Sequence, residues 1–297
     1  MGLKATLYEA AVFLWIILVV GAWISVDLGY TAPWLSFADI PGGSTGAIVG
    51  AFVAALAGLL LIAKLQHRHE SAEWQAAGRQ AGLRPSDNGG STGGPELTGT
   101  VAGRTVTASY EKRKMSTDAE GGGRRVTFTI ATAELSRPAD EGGLIGRAGS
   151  RVSVENGVGT LDFDDMAEAA SATEGLVAVA TEELVLVGTS EAVVEAVDDG
   201  LSGEALRAIR DLNIVSVGAA SGVVARWAEI RNEELGGSIL EIPGDNLVDW
   251  IPGEATTVTA ETRASIRDGD EIQRFVEAAV AIADGFEEAI ARGPVSG

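Results

Sequence analysis

The chain has 297 residues, with 42 acidic and 22 basic side chains, no cysteine and two histidines, for a formal net charge of −20. The lack of cysteine removes disulfides, thiol nucleophiles and Cys-ligated zinc or iron–sulfur centres. The acidic balance argues against nucleic acid, which needs a basic footprint.

Two apolar runs come first. Residues 10–26, AAVFLWIILVVGAWISV, and residues 46–63, GAIVGAFVAALAGLLLIA, carry no charged side chain. At ~1.5 Å of rise per residue each reaches about 26 Å, near the ~30 Å of a bilayer's hydrocarbon core. The expectation is a transmembrane hairpin over residues 1–69, with helices at about 8–26 and 46–65. No Lys or Arg falls between Lys4 and Lys64, whereas Lys64, Arg68 and Arg79 follow the second run. The positive-inside rule then gives a multi-pass membrane protein with both termini and the large domain in the cytoplasm. Gly46, Gly50, Ala54 and Gly58 recur every four residues, a small-residue stripe that admits another helix at close range. Its partner is either the first helix of the same chain or a helix of another molecule.

His67 and His69, the two histidines, follow directly. The soluble region therefore has no histidine for a Ser–His–Asp triad or a His-ligated metal. Two positions apart on a helix, the pair do not face one another and make poor co-ligands. Residues 70–95 read as a juxtamembrane helix bearing Trp74, Ala77 and Ala81, then a Gly/Ser-rich linker.

Residues 71–297 hold 19 basic and 38 acidic side chains, net −19, spread along their whole length. Only four basic residues of the chain are Lys. Such a surface fits molar salt, where the Debye length falls to about 3 Å and self-repulsion is screened.

Residues 96–292 alternate between strand and helix signals. ELTGTVAGRTVTASYEKRK holds two alternating runs around Ala102-Gly103, a hairpin signal, and RRVTFTIATAEL is a third strand. Lys112, Arg113, Lys114, Arg124 and Arg125 flank the next turn. These five basic residues either pair with nearby acids or touch anionic lipid or an acidic partner. GGLIGRAGSR, with Arg147 and Arg151, reads as a glycine-rich loop, with an anion nest as the sharper alternative. SRVSVE is a strand.

DFDD contributes Asp162, Asp164 and Asp165, the densest carboxylate group beside a strand end and the candidate metal ligands. An Asp ahead of MAEAA is equally the usual helix cap. GLVAVATEELVLVGT reads as a hairpin turning at Glu182-Glu183, followed by two short helices. NIVSVGAASGVVARWAEI reads as a further hairpin and TTVTAETRASI as the last strand. The final segment repeats Ile272, Phe275, Val276, Ala279, Val280, Ala283, Phe286 and Ile290 at helical spacing.

The expected fold class is α+β: a transmembrane hairpin, then a mainly antiparallel sheet with helices packed on one face. The soluble part is one domain or two subdomains split near residue 149. The Trp74 helix with AGL, LTGTVAGRTVT, LDFDD and the terminal helix together resemble uncharacterised prokaryotic, particularly haloarchaeal, membrane-anchored proteins. The resemblance spans most of residues 1–292. It implies an architecture and no activity.

No nucleotide motif is present, and no cofactor is expected. The leading functional expectation is a membrane-anchored cytoplasmic scaffold of a halophile, binding a protein partner or a second copy. The alternatives are a carboxylate- or Mg²⁺-dependent hydrolase centred on DFDD, and a lipid or small-ligand sensor built on a deep apolar pocket.

Overall fold

The computed structural model describes residue 15 and residues 43–86, 95–115, 124–153, 160–172, 174–194, 209, 211–234 and 255–292. The chain divides into two units, Met1–Glu73 and Trp74–Gly297.

The first unit contains most of α1 (Gly43–Gln80). Here the sequence expectation is corrected: among the described residues no helix is long and apolar enough to cross a membrane. The second apolar run lies within α1, which continues without a break through Lys64, His67, Arg68, His69 and Glu70. These are polar and charged side chains that a hydrocarbon core does not accommodate. The first expected span, at 8–26, lies outside the described residues except for Trp15. The integral membrane placement, the multi-pass topology and the cytoplasmic orientation drawn from the hairpin go with this correction. The segment read as a separate juxtamembrane helix is instead the C-terminal part of α1.

The second unit is built on one nine-stranded sheet in the order β1-β2-β3-β4-β11-β10-β5-β9-β8, every pair antiparallel. Its strands are β1 (Arg84–Pro85), β2 (Leu97–Val101), β3 (Arg104–Met115), β4 (Arg124–Glu134), β5 (Gly142–Arg147), β8 (Val177–Ala180), β9 (Leu184–Gly188), β10 (Leu212–Gly218) and β11 (Thr257–Thr262). A small ribbon pairs β6 (Arg151–Ser153) with β7 (Thr160–Asp162). The helices are α2 (Phe163–Ala172), α3 (Ser221–Glu234) and α4 (Gly269–Arg292). Strands from both sides of residue 149 share this sheet.

Local chemistry explains the expected pieces that appear. Ala102 and Gly103 both have positive φ, 49° and 87°, as a two-residue turn between twisted strands requires. Asp162 Oδ1 accepts the backbone N–H groups of Asp164 and Asp165, and Asp268 Oδ1 those of Asp270 and Glu271. Each Asp thus caps a helix start.

The helices do not share one face, contrary to expectation. Neighbouring strand residues point to opposite sides, and the buried side chains divide accordingly. Ile145, Leu186, Val215 and Ala260 join the core under α4, with Trp74 and Ala77 of α1. Leu144, Val185, Val187 and Ile214 join a second core under α2 and α3. The reason lies partly in a misread segment. VVARWAEI, expected as the second arm of a hairpin, is helix α3. Its buried Val223, Val224, Trp227, Ala228 and Ile230 follow helical spacing, and β-branched composition outweighed that period in the sequence reading. The chain reaches α3 through a tight turn after Gly218. There a Cβ on the facing Gly142 would lie 2.3 Å from the backbone of Ala219 and Ala220, so only glycine fits.

Candidate functional site: a buried polar chain

In register across β3, β4 and β11, the face away from α4 carries Glu111, Arg113, Phe128, Ile130 and Glu261. Glu261 is wholly buried. Its Oε2 lies 2.7 Å from an Arg113 guanidinium nitrogen, and Arg113 also pairs with Glu111 at 2.9 Å. The same guanidinium stacks 4.9 Å from the centre of the Phe128 ring, a cation–π contact that suits a desolvated arginine. Burial pushes the Glu261 carboxyl above the usual carboxylate range, opposed by Arg113 and by a hydrogen bond from Asn213.

The contacts continue in a line. The Asn213 side-chain N–H donates to Glu261 at 2.5 Å, and Arg263 Nε donates to the Asn213 carbonyl at 2.6 Å. A further Arg263 N–H donates to the Arg151 carbonyl at 2.7 Å. Arg151 then pairs with Asp162 at 2.7 Å. From Arg113 to Asp162 this is one connected line of ion pairs and hydrogen bonds. Within it Glu261 Oε2 meets Arg113 as an ion pair and not as a well-aligned hydrogen bond.

The two groups singled out in the sequence therefore stand at its two ends. At the basic hairpin Arg113 turns inward to Glu261, Lys112 and Arg125 are exposed, and Lys114 opposes Arg125 in register. The side chains of Lys114 and Arg124 lie outside the described residues. At the other end each carboxylate of DFDD has structural partners. Asp162 caps α2 and binds Arg151, Asp164 accepts the Gly149 N–H at 3.0 Å, and Asp165 pairs with Arg231 of α3. A cation there would have to displace these donors. Among the described residues no group of three or more His, Cys, Asp or Glu side chains is gathered to hold a metal.

The small-residue stripe belongs to the other unit. A Cβ on Gly58 would meet the Trp15 indole at 2.7 Å, while Gly50 has nothing within 4 Å. Gly46 and Ala54 lie in α1 with surroundings outside the described residues.

Cavities in the second unit open to the surface and have both polar and apolar walls. One of about 740 Å³ opens over β4 and β11 beside Thr132, Glu134, Ser136, Arg137, Thr257 and Thr259. Another, of about 530 Å³, holds Arg147, Arg151, Asp211, Asn213 and Arg263. Glu261, Asn213 and Arg263 escaped the sequence reading because polar residues at alternate strand positions look like a solvent face.

No protein-family model matches the chain, and no curated protein matches it. Among solved structures it is similar to the mycobacterial trehalose monomycolate transport factor A, TtfA, at a TM-score of 0.40 and 9% identity, over 73% of this chain and 94% of that one.

Proposed function

We propose that this chain is a non-catalytic interaction protein that pairs with a second copy of itself through α1. The observation that carries the reading is the apolar surface open on that helix. Val53, Leu56, Leu60, Leu61 and Leu65 are each between 46% and 65% exposed. At about 3.6 residues per turn they lie on one side of α1. Single exposed leucines are ordinary, but several on one side of one helix mark surface that gains from being covered. Fully burying a Leu or Val side chain is worth ~1.5–3 kcal/mol, so two such faces laid together favour association. Gly50 lies on the same side, with open space where a side chain would be, and admits the backbone of an identical helix. A two-fold pairing presents this same patch from both copies.

The structural employment of Asp162, Asp164 and Asp165 favours this reading over hydrolysis. The Lys-poor acidic surface fits a molar-salt habitat, in which an apolar contact survives and a charged one is screened.

Because the chain has no cysteine, Leu60→Cys carries a single thiol. Oxidised in molar KCl, it is expected to give a disulfide-linked dimer. Gln66→Cys, on the opposite side of the same helix, is expected to form no disulfide-linked dimer. Equal cross-linking of both variants, or a monomer by sedimentation for the unmodified chain, overturns the proposal.

A further inference from the structure

The cavity of about 530 Å³ in the second unit gathers three arginines, Arg147, Arg151 and Arg263, in a chain of net charge −20. Three like charges side by side repel one another, and an anion seated among them relieves that repulsion. Two of the three are held in place. Arg263 is oriented by Asn213 and the Arg151 carbonyl, and Arg151 by Asp162. These contacts use Nε and one terminal nitrogen of Arg263 and Nε of Arg151, leaving N–H groups of both for a ligand. Arg147, at the end of β5, is exposed and has no side-chain partner among the described residues. Ser150 lines the same cavity, and its Oγ is shut off from water without a partner among the described residues.

We propose that this cavity binds a phosphate group, free or carried on a small organic monoester. Three guanidinium groups arrive from different segments: the end of β5, the start of β6 and the residue after β11. Donors from several directions suit a tetrahedral oxyanion, whereas one planar fork already satisfies a carboxylate. Asp162 pairs with Arg151, and Asp211 adds a second carboxylate to the cavity wall. The surplus is therefore modest and the binding depends on all three arginines. The volume exceeds a bare phosphate and lies within the ~300–1,000 Å³ of small-molecule sites, leaving room for an organic part. The site lies within the second unit and is inferred without reference to self-association.

The test is calorimetric titration of the full chain in molar KCl with inorganic phosphate and, separately, with glycerol 3-phosphate. Saturable binding is expected for at least one of them. Tighter binding of the ester identifies a monoester site, and equal binding identifies the free anion. Arg147→Gln removes a residue with no structural partner, so its thermal melt should match that of the unmodified chain. Its affinity should drop about tenfold, the loss of one charge-assisted hydrogen bond. No saturable heat up to tens of millimolar for either probe, or unchanged affinity in Arg147→Gln, overturns the proposal.

Discussion

Glu261 is the residue whose surroundings demand most explanation. A carboxylate with no exposed surface survives only because Arg113 and Asn213 meet its oxygens. Removing one member of such a pair strands the other. Arg113→Met should cost about 3 kcal/mol, since it leaves the Glu261 charge buried and uncompensated. Arg113→Met combined with Glu261→Gln should recover more than half of that loss, because the amide still accepts from Asn213 and no charge remains. Urea unfolding of the single and double variants in molar KCl measures both. Equal stability of the two variants would mean that the pair contributes through packing alone. Burial raises the Glu261 carboxyl, so its own contribution has a definite sign. The stabilisation is complete below the ordinary Glu range and is lost as pH rises through the raised value.

Between elements, the contact that ties α4 to the sheet is a three-way one at Arg104 of β3. Its guanidinium binds Asp284 at 2.7 Å and Glu287 at 2.6 Å, and donates to the Glu134 carbonyl at 3.0 Å. Glu287 also accepts from the backbone N–H and hydroxyl of Ser136. Burial works against the Glu287 charge, yet Arg104 and Ser136 outweigh it and hold the carboxyl below its ordinary range. The sign is opposite to that at Glu261. Stability from Glu287 is present above the ordinary Glu range and is lost as pH falls through the depressed value. The unmodified chain should therefore exceed Glu287→Gln in stability at neutral pH, with the gap closing on acidification. Melting both proteins across a pH series checks this, and a gap that widens in acid would refute it. Elsewhere the elements were legible to different degrees. The Ala102-Gly103 turn and the apolar period of α4 announced themselves, because turn chemistry and helical spacing are local. Helix α3 did not, since its Val223-Val224 pair has strand composition and the turn after Gly218 is fixed by the approach of Gly142.

At the scale of the whole molecule, charge is the dominant condition. A net charge of −20 on 297 residues repels itself across the surface in dilute buffer. Raising KCl from about 0.01 M to 1 M shortens the Debye length from ~30 Å to ~3 Å, and the melting temperature should climb with it. A melting temperature that is flat or falling over that range would remove the argument for a molar-salt habitat. The buried Arg113–Glu261 pair is screened far less than the surface, so its double-variant difference should change little with salt.

By itself the sequence determined what depends on neighbours along the chain. That covers the α+β class, the hairpins turning at Ala102-Gly103 and Glu182-Glu183, an aspartate cap within DFDD though not its position at Asp162, and the acidic, cysteine-free composition. The tertiary structure decided what depends on residues far apart. It set β11 between β4 and β10, drew strands from both sides of residue 149 into one sheet, and put helices on both its faces. It also joined Arg113 to Asp162 through Glu261, Asn213, Arg263 and Arg151, residues that no spacing rule connects. The physical reason is loop closure: a pairing between segments more than a hundred residues apart leaves no local period or turn signal in either one.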